Sequence, residues 1–206
     1  MTSILHKAVF RQSAEKLSQL PGESIAEVAF AGRSNAGKSS ALNALTARRR
    51  LAHVSKTPGR TRLINFFEVG PAMFLVDLPG YGYAQVPGDM KRQWARLLTG
   101  YLNTRQQIRG LVVVMDVRHP MTPLDLQLLD WFTATGKPVH VLLTKADKLS
   151  RSRAAAQLQK VAHVLRADYS GCSVQLFSSS SKLGVQEAQA VISDWLTSDG
   201  EGGTVE

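Results

Sequence analysis

The sequence predicts an α/β fold, a three-layer sandwich in which a six-stranded, mostly parallel sheet lies between two layers of helices. Short apolar runs alternate with longer amphipathic segments along most of the chain, which is the pattern of strands and helices around a parallel sheet. The length of 206 residues, with 44% hydrophobic and 20% charged residues, suits one domain with its own core. We therefore expect a single domain over residues 1–198, including a short N-terminal extension, and a disordered acidic tail at 199–206.

The individual elements follow from the apolar pattern. Six apolar runs are bounded by turn residues and are predicted to be strands: 27–31, 63–69, 72–77, 110–116, 139–144 and 173–178. Five segments carry apolar residues at helical spacing: 37–47, 91–103, 123–135, 152–167 and 185–196. Residues 48–62 and 79–89 contain Gly and Pro without a sustained period, so we predict two long loops, which in a compact domain usually carry function or are disordered.

The chain is basic, with 25 Lys and Arg against 16 Asp and Glu and a formal net charge of +9. Such a surface favours a polyanionic partner, and we predict contact with nucleic acid. The alternative is a solvated face that only keeps the protein soluble. The cations cluster in the first long loop and again further along the chain: Arg48, Arg49, Arg50, Lys56, Arg60 and Arg62, then Lys91, Arg92, Arg96, Arg105 and Arg109.

Three features of the sequence indicate a cytoplasmic protein. Charges interrupt the apolar positions of the first twenty residues, unlike a signal peptide, and no run approaches the ~18 apolar residues that span a bilayer. The single cysteine, Cys172, lies in an apolar segment and is expected to be a buried, unreactive thiol in a reducing compartment. We expect no membrane association.

A glycine-rich segment, GRSNAGKS, follows the first predicted strand and opens the first predicted helix. It fits the pattern G-x-x-x-x-G-K-[ST] in the strand-to-helix setting of a phosphate-binding loop, so we predict the fold of a P-loop NTPase. Backbone N–H groups would converge on the phosphates, Lys38 would neutralise their charge and Ser39 would ligate Mg²⁺. The phosphate-binding residues are Gly32, Arg33, Ser34, Asn35, Ala36, Gly37, Lys38 and Ser39. An ordinary Gly-rich turn is the alternative.

A second motif, Asp77-Leu78-Pro79-Gly80, follows another predicted strand. A carboxylate at the C-terminal end of a strand can hold Mg²⁺ through water, and the Gly80 N–H can reach a γ-phosphate. Taken alone, the four residues are also compatible with a plain Pro-Gly turn.

A third motif, Thr144-Lys145-Ala146-Asp147, indicates which base is bound. A carboxylate at Asp147 can accept hydrogen bonds from the N1–H and the exocyclic amine of guanine, whereas adenine lacks that amine and presents an acceptor at N1. The motif therefore favours GTP over ATP, and the alternative is a solvated acid that caps the next helix. The serine run at 178–180, after the last predicted strand, would offer backbone N–H groups to the guanine O6.

The order of these motifs resembles that of the translation-factor-like GTPases. Within that class, four phrases resemble the bacterial EngB (YihA/YsxC) family: GRSNAGKSS at 32–40, KTPGRT at 56–61, NFF at 65–67 and DLPGYGY at 77–83. The resemblance covers nearly the whole chain. It implies a monomeric GTPase that assists assembly of the large ribosomal subunit and whose loss disturbs cell division and septation. Because the predicted switch I loop carries the first cluster of cations, we further predict that GTP orders this loop and that it then contacts rRNA in large-subunit precursors.

The resemblance assigns roles to individual residues. Lys38, Thr61 and Gly80 would be catalytic, and Ser39 and Thr61 would ligate Mg²⁺, with Asp77 acting through water. Switch I would contribute Gly59, Arg60, Thr61, Arg62 and Leu63, and switch II would begin with Asp77, Leu78, Pro79 and Gly80. The guanine pocket would consist of Thr144, Lys145, Ala146, Asp147, Phe177, Ser178 and Ser179.

Three residues qualify the resemblance. Thr144 stands where asparagine is commoner, so we expect the base contact to depend mainly on Asp147. Tyr81 follows D-x-P-G, where many small GTPases use glutamine to orient water; we predict slow intrinsic hydrolysis that a partner, a cation or the ribosome completes, and a packing role for Tyr81 is compatible with this. Asn35 would help to bind K⁺ beside the β/γ bridge, or else serves loop geometry.

Two other functions stay open at the level of sequence. One is a nucleotide-gated interaction protein at the division site that acts independently of ribosomes. The other is an ATP-using P-loop enzyme such as a small-molecule kinase, against which Asp147 argues.

Overall fold

The computed structural model describes residues 3–52, 63–81 and 97–198. Seven strands are described: β1 Val9–Ala14, β2 Ala26–Gly32, β3 Ile64–Gly70, β4 Met73–Asp77, β5 Ile108–Asp116, β6 Val139–Thr144 and β7 Cys172–Leu176. They form one sheet in the order β1-β3-β4-β2-β5-β6-β7. From β4 to β7 all neighbours are parallel, whereas β3 is antiparallel to both β1 and β4. The predicted α/β class with a mostly parallel sheet is confirmed.

The predicted count of six strands is wrong by one. The six predicted runs correspond to β2 through β7, and β1 is the additional strand. It lies at the edge of the sheet, where Val9 and Phe10 are exposed and only Ala14 is buried. Because backbone hydrogen bonds to β3 hold it in place, β1 needs no buried apolar run, and its sequence therefore carries no strong strand pattern.

The described helices agree in position with the five predicted ones. They are α1 Lys38–Leu45, α2 with helical residues 97–104, α3 Pro123–Thr133, α4 Arg151–Asp168 and α5 Val185–Thr197. Short 3-10 helices occupy Ile4–Lys7, Leu17–Gln19 and Ala146–Lys148. Residues 91–96 of the second predicted helix and the predicted tail at 199–206 lie outside the described residues.

Capping side chains set the starts of two helices. At α3, the backbone N–H and hydroxyl of Thr122 both donate to Asp125, at 2.9 and 2.7 Å, and Pro123 supplies a first residue that needs no partner for its missing N–H. At α4, the Ser150 hydroxyl accepts from the Arg153 N–H at 3.4 Å. These local interactions fix where each helix leaves the carboxyl end of its strand.

Apolar side chains form a layer on each face of the sheet, which confirms the three-layer arrangement. On one face, Tyr101 of α2, Phe132 of α3 and Val161 of α4 are buried against the strands. On the other, Leu42 of α1 and Ile192 of α5 are buried. Each large apolar side chain removed from water stabilises the fold by about 1.5–3 kcal/mol.

A buried ion pair lies at the amino end of β2. Glu27 is fully buried and accepts hydrogen bonds from Arg105 Nε at 2.8 Å, Arg105 Nη2 at 2.6 Å and the Tyr101 hydroxyl at 2.7 Å. The guanidinium neutralises a carboxylate that would otherwise be costly to bury. The sequence-based grouping of Arg105 with the surface cations is therefore wrong for this residue.

Two further predictions concern Cys172, which was expected to be buried, and the membrane. Cys172 is half-buried on β7, and burial raises the pKa of its thiol to about 11, so the thiol stays protonated near neutral pH. Among the described residues, no helix has the length and apolar character needed to cross a membrane.

Candidate functional site

The predicted site residues meet along one edge of the sheet. Strands β2, β4, β5 and β6 are parallel neighbours, so their carboxyl ends lie side by side at Gly32, Asp77, Asp116 and Thr144. Ligands of open α/β sheets bind outside this edge. The three motifs found in the sequence thus converge in space.

The phosphate loop connects β2 to α1, and two of its glycines are required by the backbone. A Cβ on Gly32 would lie 2.7 Å from the carbonyl oxygen of Val114 on β5, which is too close for any other residue. Gly37 precedes α1 with φ of 100°, a left-handed conformation that glycine adopts without strain. Helix α1 begins directly after the loop, so the N–H groups of its first turn, which have no partner within the helix, are available to an anion there.

The D-x-P-G segment is fastened to the phosphate loop by side-chain and backbone contacts. Asp77, at the end of β4, is buried and forms an ion pair with the ammonium of Lys38. Just beyond it, the Tyr81 N–H donates to the Gly32 carbonyl at 3.2 Å, and the Ser34 N–H donates to the Tyr81 carbonyl at 3.0 Å. The loop and the start of the second predicted switch therefore form one unit.

The third motif is fastened to the same loop from the opposite side. The Thr144 hydroxyl lies 2.5 Å from the carbonyl oxygen of Ala36 and 3.0 Å from that of Met115. The Lys145 ammonium donates to the Asn35 carbonyl at 2.7 Å and lies 3.0 Å from Asp116 Oδ2. These contacts hold residues 144–147 at a fixed distance from the phosphate loop.

Asp147 is exposed at the end of the third motif and is held by the serine run. Its carboxylate accepts a hydrogen bond from the buried Ser178 hydroxyl at 2.7 Å and lies 3.4 Å from the Lys148 ammonium. The Ser178 hydrogen bond, aided by Lys148, lowers the pKa of the carboxyl. Asp147 is therefore an ionised acceptor at neutral pH. The segment after β7 is anchored by the Ala146 N–H, which donates to the Phe177 carbonyl at 3.1 Å.

Two acidic residues that the sequence reasoning missed support the site. Asp116, at the end of β5, pairs with Lys145 and, at 2.6 Å, with Arg118; burial alone would raise its pKa, but hydrogen bonds from both cations lower it well below the usual range. Asp125 accepts a hydrogen bond from the Tyr81 hydroxyl at 2.7 Å. Asp116 could have been found from its position at a strand end, whereas nothing in the sequence pairs Tyr81 with Asp125.

Tyr81 is a packing residue with a partnered hydroxyl. It is buried, and burial together with the charge of Asp125 raises the pKa of its phenol well above the usual range. The hydroxyl of Tyr81 is thus bound to Asp125 of α3. This observation agrees with the packing role considered for the residue.

The oxygen donors expected for Mg²⁺ can be tested against the site. Ser39 is in the first turn of α1, and the Asp77 carboxylate forms an ion pair with the neighbouring Lys38, so a hydroxyl and a carboxylate are both found next to Lys38. Both are ligand types that Mg²⁺ prefers. Among the described residues, no three His, Cys, Asp or Glu side chains cluster as an all-protein metal site. The donor set suits a cation that takes its remaining ligands from nucleotide and water.

Part of the predicted site lies outside the described residues. This applies to Gly59, Arg60, Thr61 and Arg62, and hence to most of the predicted switch I. Leu63 is described and half-buried. At the start of the same basic segment Arg48, Arg49 and Arg50 are exposed.

Comparisons with known proteins show to which family the sequence is similar. A family model described as "50S ribosome-binding GTPase" matches residues 27–145. The "Probable GTP-binding protein EngB" of Methylobacillus flagellatus is 58% identical over 193 residues, which cover 94% of this chain and 93% of that protein.

Solved structures show the same fold. A crystal structure of a "probable GTP-binding protein engB" has a TM-score of 0.65 and 20% identity, covering 83% of this chain and 98% of that one. Era in complex with MgGDPNP and nucleotides 1506–1542 of 16S ribosomal RNA has a TM-score of 0.68 and 19% identity, covering 85% of this chain and 58% of that one.

Proposed function

Because the chain belongs to the EngB family of GTP-binding proteins and is a GTPase, we propose that it uses GTP as a molecular switch in assembly of the large ribosomal subunit. Normal cell division and septation would depend on this role. The observation that carries the switch is the joining of Asp77, the phosphate loop and Thr144 through direct contacts. A change at the phosphates would therefore alter the contacts of both flanking motifs.

Guanine selection depends on Asp147. Its ionised carboxylate accepts the N1–H and exocyclic amine of guanine, and the Ser178 hydroxyl holds it in place. The Ser178 N–H already donates to the Leu183 carbonyl at 2.9 Å, so the backbone donor for the guanine O6 is assigned to Ser179. The alkyl stem of Lys145 would cover one face of the base.

Phosphate binding should change the ionic partner of Lys38. Lys38 is paired with Asp77, and a bound β/γ-phosphate would draw the ammonium onto its own oxygens. Asp77 would then be available to accept from water beside Ser39. Mg²⁺, when bound there, supplies positive charge that stabilises the phosphoryl oxygens. The Gly80 N–H would donate to the γ-phosphate and sense its loss.

Intrinsic hydrolysis is proposed to be slow. The Tyr81 hydroxyl is held by Asp125, so this side chain does not orient the attacking water. The group that completes catalysis would come from the ribosome, another partner or a cation. K⁺ is a candidate, since Asn35 lies exposed in the phosphate loop. Equal hydrolysis rates in KCl and NaCl would exclude it.

The ribosomal role draws its support from charge and from relatives. The chain carries a formal net charge of +9, and Arg48, Arg49 and Arg50 are exposed at the start of the basic segment. The matching family is described as ribosome-binding, and the structurally similar Era binds a segment of rRNA. We propose that Thr61 orders the basic segment around GTP, so that the GTP state binds rRNA phosphates more tightly than the GDP state.

Co-sedimentation with large-subunit precursors tests this function. The wild type should pellet with precursors in the presence of a non-hydrolysable GTP analogue, and less with GDP. Asp147→Asn is the matched control, because its binding should require an XTP analogue instead. Equal binding in all nucleotide states would contradict the switch, and no binding to any ribosomal particle would leave the division-site alternative.

A further inference from the structure

Helix α4 presents a basic outer face. Its exposed side chains include four cations and a histidine: Arg151, Arg153, Lys160, His163 and Arg166. The sole acid of the helix is Asp168, its last residue. At 1.5 Å per residue, the cations from Arg151 to Arg166 extend over about 22 Å of helix.

This basic face is not a consequence of the overall charge alone. Helices α3 and α5 contain no Lys, Arg or His; α3 carries Asp125 and Asp130, and α5 carries Glu187 and Asp194. Positive charge is therefore concentrated on α4 among the helices that follow β5. Such local concentration is the footprint of a polyanion site.

Within the described part of the chain, the cations of α4 have no acidic partners. In residues 3–52, 63–81 and 97–198, no salt bridge joins any of them to an acid. The helix is attached instead by its other side, where Ala154, Val161 and Leu165 are buried. Removing the outward charges should therefore leave the packing of the helix intact.

The composition of the face favours nucleic acid over a membrane. The large apolar side chains that are exposed in the described residues do not include any on α4. A membrane-surface helix would need such residues beside its cations. Lys and Arg at intervals along a polar helix suit the phosphates of a nucleic acid, which position a protein without reading sequence.

The position of α4 separates this face from the other basic segment. The helix packs against β7 at one edge of the sheet. Arg48 donates instead to the His6 carbonyl at 3.4 Å, in the short helix Ile4–Lys7, which contacts β3 near the opposite edge. Helix α4 follows the guanine motif directly, through the short helix Ala146–Lys148 and the capping residue Ser150.

We propose that the outer face of α4, formed by Arg153, Lys160 and Arg166, binds the phosphate backbone of rRNA. The inference rests on the proposed ribosomal function and assigns to it a contact surface beside the guanine pocket, separate from the basic segment that begins at Arg48. Because the contact is to phosphates, it positions the protein on folded RNA and carries no sequence preference of its own.

The test compares two triple variants of the full chain. One carries Arg153→Gln, Lys160→Gln and Arg166→Gln, since glutamine keeps helix propensity while removing charge. The matched control carries Lys7→Gln, Arg11→Gln and Lys16→Gln, which removes the same charge from exposed residues near the opposite edge. Binding to protein-free rRNA of the large subunit is measured against salt, with GDP affinity measured in parallel.

The α4 variant should bind rRNA at least about tenfold more weakly and flatten the salt slope by about 2, as expected for three lost phosphate contacts. The control should change the slope by much less, and GDP affinity should stay unchanged in both. Equal losses in the two variants, or none in the α4 variant, would overturn the inference. So would loss of binding to vesicles of phosphatidylglycerol and phosphatidylcholine without loss on RNA. A wild type that binds GDP but no protein-free rRNA would also overturn the inference, whereas the ribosomal function itself fails only if the wild type pellets with no large-subunit precursor.

Discussion

The side chain of Thr144 bonds to the backbone of Ala36, with 2.5 Å between the hydroxyl oxygen and the carbonyl oxygen. This contact joins residues that are 108 positions apart and connects the proposed guanine motif, Thr144–Asp147, to the phosphate loop. It also gives the departure from asparagine at this position a structural explanation, since the shorter hydroxyl side chain is sufficient to reach the loop.

Replacing Thr144 by valine should weaken guanine nucleotide binding. The isosteric side chain leaves the buried carbonyls of Ala36 and Met115 without this donor, which costs about 1–3 kcal/mol. We expect GDP affinity to fall roughly tenfold or more, measured by titration with a fluorescent GDP analogue. Thr144→Ser keeps the hydroxyl and should bind nearly as the wild type does. Wild-type affinity in the valine variant would show that the contact does not shape the pocket.

Replacing Tyr81 by phenylalanine should affect stability and not chemistry. The phenol donates to a buried carboxylate, and loss of a hydrogen bond to a charged group costs about 1.5–3 kcal/mol. Urea unfolding should report this loss. Single-turnover GTP hydrolysis should stay within about twofold of wild type, because the hydroxyl is held by Asp125. A large fall in hydrolysis with unchanged stability would place Tyr81 in catalysis.

Replacing Arg105 by alanine should be strongly destabilising. Glu27 is fully buried, and removing one partner of a buried ion pair typically costs about 3–5 kcal/mol. The matched control is Arg166→Ala on the exposed face of α4, which should change the free energy of unfolding by about 0.5 kcal/mol or less. Similar small effects for both variants would contradict the role assigned to the Glu27–Arg105 pair.

Burial of His140 should make the folded protein less stable in mild acid. It is buried on β6 between Ser173 and Gln175, at 2.7 and 2.9 Å, and packs against Trp195. Burial lowers the pKa of the imidazole, and the Gln175 hydrogen bond only partly opposes this. Below the unfolded value of about 6.5, the unfolded chain takes up a proton that the folded chain does not, so stability falls by up to about 1.4 kcal/mol per pH unit.

The comparison with His140→Gln isolates this effect. Unfolding free energies of both proteins are measured at about pH 7.5 and about pH 5.5. The wild type should lose more stability than the variant between the two pH values, whatever the variant loses at the higher pH through altered packing. Equal losses on acidification would show that His140 does not contribute.

The sequence predicted the elements whose signals are local. The phosphate loop is recognisable because Gly32 and Gly37 meet backbone requirements within eight residues, and the buried strands are continuous apolar runs. The guanine motif likewise lies at the end of such a run, β6.

Features that depend on tertiary contacts could not be predicted from the sequence. Strand β1 is held by its pairing to β3, and the partner of Tyr81 is 44 residues away at Asp125. Arg105 reads as a surface cation until its distance from Glu27 is known. In each case the deciding interaction joins segments that are distant in sequence.

Nucleotide selectivity at Asp147 shows whether the site binds guanine in preference to adenine. Binding of fluorescent GDP to the wild type and to Asp147→Asn is competed separately with GTP, ATP and XTP. Because asparagine can complement xanthine, GTP but not ATP should compete in the wild type, and the variant should prefer XTP. If ATP competes as well as GTP in the wild type, Thr144–Asp147 is not a guanine motif and the protein is not a guanine-nucleotide switch.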